Sequence, residues 1–379
     1  MTQEGTKLEK HLHIVSFNVP YPADYGGVID VFYRIRYLAQ LGVRIHLHCY
    51  TYGRQESPEL AQICESVHYY RRDMSLFRQF SKRPFIVNSR SSKYLIDNLN
   101  KDNYPILLEG IHSCDILERI DTVDRQIIVR AHNVEQHYYA ALAENEKNLM
   151  KRGYYRLESS KLKRYEPILK HASSVLTVTD ADKRFFETIG IKNIVVIPCF
   201  HAGDSINSLR GKSDYALYHS NLSVAENQQA ALWLADNVFS RFRGHVVIAG
   251  RNPDRAFIDH IKQYSNIRLV DSPSQDTMLE LQRNAQVNVL YTEQPTGLKL
   301  KLLNSLFEGR HCLVNSMMLS GTKLSTLCHV ADSADFMLES LEALMNQPFG
   351  DKDIENRQSV LNKTYGNEHN AKLILNLLR

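Results

Sequence analysis

Paired cysteines, long apolar runs and the common glycine signatures for phosphate binding are all missing from this sequence. Its six cysteines (Cys49, Cys64, Cys114, Cys199, Cys312, Cys328) are scattered, with no C-x-x-C pair. Four lie in or beside apolar strand-like runs, so they read as buried, reduced thiols. No apolar run approaches the ~20 residues needed to span a bilayer. The stretch from Met1 to Lys10 is polar and lacks the apolar segment of a signal peptide. A cytoplasmic protein is expected, with peripheral contact at the inner face of a membrane left open. Neither G-x-G-x-x-G nor G-x-x-x-x-G-K-[ST] occurs, which removes the signatures of nicotinamide dehydrogenases and P-loop enzymes. No cysteine or histidine cluster has zinc spacing, and there is no internal repeat, low-complexity tract or heptad pattern. Strong charge of either sign is absent too. A net charge of +4 permits anionic ligands without implying nucleic acid.

What is present is a long alternation of strand and helix. With 379 residues, 43% hydrophobic and 23% charged, the chain suits two folded domains of ~190 residues each. Strand-like runs at Leu12–Phe17, Val43–Cys49, Ile106–Leu108, Ile127–Val129, Val175–Val178 and Ile194–Ile197 form a first series. A second comprises Tyr215–Tyr218, His245–Ala249, Ile267–Val270, Val287–Leu290 and His311–Val314. Continuous β-branched runs separated by helices predict doubly wound parallel α/β sheets covered on both faces. The turn-rich stretch 199–211 reads as the interdomain linker. The expected domains are residues 1–199, with 359–379 crossing back to them, and residues 200–358. The apolar side made by Leu373, Leu377 and Leu378 suits the tail for docking. Ligands of such sheets bind at the carboxyl ends of strands.

The most informative segment runs from Thr296 to Gly309. It predicts a helix whose residues Leu298, Leu300, Leu302, Leu303, Leu306 and Phe307 form an apolar arc opposite Lys301, Asn304 and Glu308. Its N-terminal amides around Gly297, with Lys299 and Lys301, suit a phosphorylated ligand; an amphipathic helix with a solvated lysine face is the plainer reading. Gly26-Gly27 at the start of a helix continuing to Gln40 let backbone approach a ligand closely, or merely turn the chain. His132 and Glu135 follow the strand Ile127–Val129, where a histidine can orient or protonate a hydroxyl; the bland alternative is a capped loop histidine. Ser223 and Glu226 have capping-box spacing, which predicts a helix Val224–Phe239 with free amides beside His219–Asn221. Arg251 ends the next strand and offers a bidentate phosphate contact, or is a surface arginine. Gly321-Thr322 forms a further candidate phosphate turn.

Other matches carry less. Asp180-Ala181-Asp182 fits a D-x-D metal pattern, but it lies where a helix should begin and reads better as capping. His46 and His48 alternate along a strand and read as packing or pairing. The basic run Lys151, Arg152, Arg156, Lys161, Lys163 and Arg164 is a solvated helix face or, with Tyr154, Tyr155 and Tyr165, a surface for anionic lipid headgroups.

Taken in order, several segments resemble the retaining family 4 glycosyltransferases of the GT-B fold, bacterial surface-glycan type. They are Pro22…Gly26-Gly27, Arg130-Ala131-His132-Asn133-Val134-Glu135, Val178-Thr179-Asp180, Asn221…Glu226-Asn227, Val247-Ile248-Ala249-Gly250 and Gly297…Lys301…Asn304…Gly309. The resemblance implies two Rossmann-like domains facing across a cleft, the first for the acceptor and the second for a nucleotide diphosphate-sugar. It implies that Gly26 and Gly27 contact donor phosphates or the transferred sugar, and that His132 lies against that sugar. It further implies transfer to a hydroxyl of a glycan or lipid-linked glycan with retained configuration, mannose as the suggested sugar, and no metal or other cofactor. The chain departs from the family pattern in two places. His219-Ser220-Asn221 and Glu226-Asn227 supply no basic pair, and Thr296 and Asn304 stand where the E-x7-E carboxylates belong. Asn304 is left to hydrogen-bond ribose, and Lys299, Lys301 and Arg251 to replace the missing charge. A catalytically degenerate GT-B scaffold and a nucleotide-sugar 2-epimerase are the competing readings.

Overall fold

The computed structural model describes residues 9–121, 123–293 and 300–378. They divide into two compact units, one running to Phe200 and rejoined by the chain from Asn367, the other His201–Gly366. The return therefore begins at 367 rather than 359.

The first unit is a parallel sheet of seven strands: β1 (Lys10–Ser16), β2 (Val43–Thr51), β3 (Ser66–Arg71), β4 (Ile106–Glu109), β5 (Ile127–Ala131), β6 (Ser174–Thr177) and β7 (Ile194–Val196). Their spatial order is β3-β2-β1-β4-β5-β6-β7. Around it lie helices α1 (Gly26–Gln40), α2 (Pro58–Ala61), α3 (Leu76–Gln79), α4 (Phe85–Asn88), α5 (Lys93–Leu99), α6 (Glu135–Asn145), α7 (Leu149–Tyr165) and α8 (Asp180–Thr188). Apolar clusters cover both faces, which is why the strands read as unbroken hydrophobic runs. Strand order reverses between β1 and β4, so the connections leaving these strands depart to opposite faces and open a crevice at their carboxyl ends.

The second unit holds β8 (Tyr215–Ser220), β9 (His245–Gly250), β10 (Ile267–Asp271), β11 (Val287–Leu290), β12 (His311–Val314) and β13 (His329–Val330), ordered β10-β9-β8-β11-β12-β13 and parallel throughout. Its helices are α9 (Ala225–Leu234), α10 (Arg255–Ile261), α11 (Gln275–Asn284), α12 (Leu300–Glu308), α13 (Ala334–Asn346) and α14 (Asp351–Tyr365). The reversal here falls between β8 and β11. The last helix, α15 (Asn367–Leu377), belongs to the first unit.

The expected strands are all present, with small shifts at their ends. Two further strands, β3 and β13, were not expected: each is a sheet edge, where partial exposure breaks the apolar run that marks a buried strand. Ser223 and Glu226 do not form a capping box. The helix starts after Val224 with no side-chain cap, because Ser223 Oγ turns back to Asn221 Oδ1 at 2.7 Å. The helical stretch reaches Phe239 only through a π turn over Ala235–Phe239. Asp180 lies in the first turn of α8, where Thr179 is the cap and accepts from the Asp182 amide. His46 and His48 pair across the sheet with His11 and His13, each at 2.9 Å. Nor is the stretch after Cys199 a loose tether. Phe200 and His201 are fully buried, and the Phe200 amide donates to Asp30 Oδ1 at 2.7 Å.

The tail packs through Ala371, Ile374 and Leu378, all buried in one apolar cluster with Val31, Ile35 and Leu38 of α1. Leu373 and Leu377, expected to dock, are only partly buried against the same cluster. Ile374→Ala should therefore destabilise the protein by about 2–5 kcal/mol, the range for emptying a buried aliphatic site. Urea titration at equilibrium measures this, and Lys372→Ala on the exposed side of the helix should shift the midpoint little.

Candidate functional site

In the first unit the crevice between β1 and β4 is built around five titratable side chains from three elements and one loop. Asp30 and Arg34 lie one turn apart on α1 and face inward rather than to solvent. Glu109 ends β4, Arg130 lies near the end of β5, and His132 follows that strand. Arg130 is still within the ladder, paired with Leu176, so β5 extends beyond the expected Val129. Arg34 donates to Glu109 through Nε at 2.9 Å and Nη2 at 2.6 Å, and to Asp30 at 3.1 Å. Arg130 Nε reaches Asp30 at 3.2 Å, and its other nitrogens donate to the carbonyls of Thr177, Ile197 and Pro198. Asp30, Arg34, Glu109 and Arg130 are all essentially excluded from solvent.

His132 closes this network. Its Nε2 is 3.1 Å from Glu109 Oε2 and its Nδ1 3.3 Å from Asp30 Oδ2. Burial disfavours protonation, but the hydrogen bonds to Asp30 and Glu109 outweigh it and raise the pKa above the ordinary 6.5. A neutral imidazole would aim one lone pair at a carboxylate, whereas the imidazolium donates to both. Asp30 is held well below the usual carboxylate range: burial pushes it up, but Arg130, Arg34 and His132 overcome that. Both ring nitrogens of His132 are thus engaged by carboxylates, an arrangement that favours the protonated form.

The expected glycine pair borders the same network. Gly26 and Gly27 open α1, which has no side-chain cap at Tyr25. A Cβ on Gly27 would lie 2.9 Å from the Phe17 ring, and Phe17 stands edge-on to His132 at 5.6 Å. Glu135, in the first turn of α6, is buried. Desolvation pushes its pKa up to about 7, against the pull of His132 and a hydrogen bond from Asn133. A carboxyl so placed exchanges a proton near neutral pH. Asp30, Arg34, Glu109 and Arg130 were not singled out in the sequence. The available signal was an i,i+4 acid–base pair within the buried arc of a helix, and opposite charges closing two adjacent buried strands.

In the second unit the reversal between β8 and β11 gathers a different set. Lys301, in the first described turn of α12, places Nζ 3.4 Å from Ser220 Oγ and 5.6 Å from the centre of the Tyr218 ring. Beneath it His219 Nε2 meets Ser305 Oγ at 2.9 Å. Burial, reinforced by Lys301, lowers His219 to about 3 and keeps it neutral. A Cβ on Gly250 would come within 2.1 Å of the Ser220 carbonyl oxygen, so only glycine lets the ends of β8 and β9 approach this closely.

Asn221 shapes its loop, accepting from the Ser223 amide and hydroxyl. Arg251 is exposed after β9. Gly321 has φ +75°, and Thr322 closes the same turn onto the Leu319 carbonyl at 2.8 Å, away from Lys301 in sequence and element. Asn304 is half-buried on α12. Glu308, expected on the polar face, is instead buried and paired with Arg283 at 2.5 Å and Asn207 at 3.0 Å. Gly297 and Lys299 lie outside the described residues, as do Thr296 and Leu298. Among the described residues no group of three or more His, Cys, Asp or Glu side chains is arranged to hold a metal ion, and no helix is long and apolar enough to cross a membrane.

No family model matches the chain. It is 27% identical over 337 residues to an uncharacterized 44.6 kDa protein in the cps region of Klebsiella pneumoniae, covering 82% of this chain and 84% of that one. Among solved structures it is similar to sucrose-phosphate synthase from Thermosynechococcus elongatus, with TM-score 0.65 and 13% identity over 97% of this chain and 98% of that one. A glycosyltransferase from Rickettsia africae gives 0.64 and 13% over 97% of each. Anabaena HepE, in complex with UDP and glucose, gives 0.61 and 10% over 97% and 99%. The two parallel-sheet units therefore have the GT-B glycosyltransferase fold.

One consequence of the first-unit network is measurable. A histidine with a raised folded-state pKa contributes stability that is complete below its unfolded value of ~6.5 and is lost as pH rises through the folded value. By NMR titration His132 should titrate above 6.5 in the wild type. Glu109→Gln should lower that value by about one unit or more, since one paired charge within ~4 Å is removed. A His132 that titrates below 6.5 in both proteins would contradict the geometry.

Proposed function

We propose that this protein is a nucleotide-sugar-dependent glycosyltransferase of polysaccharide biosynthesis. The second unit would bind the nucleotide diphosphate and the first would hold a glycan or lipid-linked glycan acceptor. The observation that carries this reading is Lys301, whose ammonium lies at the carboxyl edge of β8 beside Ser220, at the strand reversal of a GT-B unit. The fold likeness to glycosyltransferases over nearly the whole chain supports it, as does the relative from a cps region.

The chemistry follows from charge. As the bond from the sugar's anomeric carbon to the diphosphate breaks, negative charge grows on the leaving oxygen. A lysine fixed at the crevice stabilises that charge more than it stabilises the ground state. In the retaining course we propose, the acceptor oxygen bonds to the anomeric carbon on the face the diphosphate leaves, and the acceptor proton passes to the departing diphosphate. No protein base is then required, which agrees with His132 having both nitrogens engaged. We assign His132 a positioning and electrostatic role beside the transferred sugar, with Gly26 and Gly27 giving ligand access to the α1 amides. We assign Glu135, whose pKa burial pushes up to about 7, a hydrogen-bonding role at the acceptor hydroxyl rather than that of a base. Gly297, Lys299, Arg251, Asn221 and Asn304 remain proposed donor contacts, and Gly321-Thr322 a further phosphate turn. Positive charge from these groups would serve in place of a metal. Mannose is the sugar we would test first.

Transfer and donor hydrolysis assayed across UDP- and GDP-sugars test the reading directly. Turnover of none of them, with no nucleotide diphosphate bound in calorimetry, would sink it; binding without turnover would favour a degenerate scaffold. Lys301→Ala should weaken nucleotide diphosphate binding by roughly 10- to 100-fold, the loss of one charged contact worth about 1.5–3 kcal/mol. Unchanged affinity would reduce the lysine to surface charge.

A further inference from the structure

The first unit carries an exposed apolar surface that the proposed chemistry does not use. On α3 and the turn after it, Phe77 is 90% exposed, Phe80 86% and Leu76 68%. On α7, Met150 is 83% exposed and Leu157 55%. Single exposed apolar residues are ordinary, whereas two nearly bare phenylalanines beside an apolar stripe are not.

The two elements are fastened together. Lys161 Nζ donates to the Gln79 carbonyl at 2.9 Å and to Glu158 at 2.7 Å. The Phe85 amide donates to the other oxygen of Glu158 at 2.6 Å. The segment between Gln79 and Phe85, with Phe80 at its head, is thus clamped at both ends onto α7. Leu157 is one turn before Lys161 on the same side of the helix, and Met150 two turns before Leu157. The α3 segment is braced from below as well, by Asn88 Nδ2 on the Arg78 carbonyl at 2.9 Å and Arg78 Nε on Asp73 at 2.8 Å. The rings are held outward by hydrogen bonds rather than left on a loose loop.

The surroundings identify the partner. Between residues 147 and 164 the sequence has seven lysines and arginines and one carboxylate, Glu158. That carboxylate is buried in the clamp. Between 76 and 83 there are three basic residues and no acidic one. Lys82, Lys151, Arg156, Lys163 and Arg164 are exposed. The tyrosines considered for lipid contact do not serve: Tyr165 is buried and Tyr154 and Tyr155 are half-buried, packed toward Tyr139 and one another.

We propose that this surface docks on an anionic lipid bilayer, with Phe77, Phe80, Leu157 and Met150 entering the headgroup–acyl boundary and the basic side chains pairing with lipid phosphates. Apolar insertion and a polybasic rim are the two signals that together hold a protein on a membrane. The inference is independent of the catalytic reading.

Flotation of the full-length protein with vesicles tests it. Binding is expected to phosphatidylcholine vesicles containing phosphatidylglycerol, to fall with added salt, and to be weak on phosphatidylcholine alone. Phe77→Ser/Phe80→Ser and, separately, Lys82→Glu/Arg164→Glu should each lower partitioning by about tenfold or more. Their urea midpoints should stay at the wild-type value, which separates lost docking from lost folding. In Phe77→Trp, emission should be quenched by lipids brominated on the acyl chain, whereas the native Trp233 should not respond. Equal flotation on neutral vesicles, full binding by the phenylalanine variant, or no quenching would each overturn the proposal. So would a wild-type dimer that Phe77→Ser/Phe80→Ser dissociates without any vesicle binding, since the surface would then join copies of the chain.

Discussion

The first unit depends on a single buried arrangement of charge. Asp30 is surrounded by Arg34, Arg130, His132 and the Phe200 amide, and Glu109 by Arg34 and His132. Burying several ions is costly, and hydrophobic residues of similar volume would often serve stability as well. Removing one member, however, leaves an uncompensated charge that typically costs about 3–5 kcal/mol. The network therefore imposes an all-or-none condition: α1, β4, β5 and the chain around Phe200 must arrive in register together. It also fixes the His132 ring at the carboxyl end of the sheet, at the reversal of strand order where ligands of such folds bind.

The second unit solves a similar problem with a different device. Arg357 on α14 is buried and donates to the carbonyls of Leu306, Gly309 and Arg310 and to Ser208 Oγ. A guanidinium thus satisfies the Leu306 carbonyl in the last turn of α12, one of those a helix end otherwise leaves without partners, and two carbonyls just beyond it, and it complements the negative end of the helix dipole. Burial lowers Arg357 to about 10, so it stays charged at neutral pH. Fixing the far end of α12 also fixes its near end, where Lys301 meets Ser220. The Lys301–Ser220 contact at one end of the helix and packing at the other are coupled through nine residues of backbone.

Much of this was legible beforehand. The helix Gly26–Gln40, the strands Val287–Leu290 and His311–Val314, the end of α12 before Gly309 and the place of His132 after a strand all follow from local pattern. Edge strands β3 and β13 escaped because all their residues but Tyr70 are half-buried or exposed, so no apolar run marks them. The failed box at Ser223 shows a short side chain choosing between two nearby partners, with Asn221 prevailing over the helix amides. Glu308 looked like a solvated residue only because its partners, Arg283 and Asn207, are remote in sequence.

The sequence by itself determined two parallel-sheet domains, their strand series, and the loops and helix starts where chemistry could lie. Periodicity and turn chemistry act over a few residues, so they survive without tertiary information. Only the folded chain decided which charges meet. Asp30, Glu109 and Arg130 are far apart in sequence, and local pattern hints at their burial but not at their pairing. The fold also decided that both ring nitrogens of His132 engage carboxylates, which raise its pKa against the effect of burial. It likewise separated the buried and half-buried tyrosines of α7 from the bare phenylalanines beside it, a distinction of packing that composition does not contain.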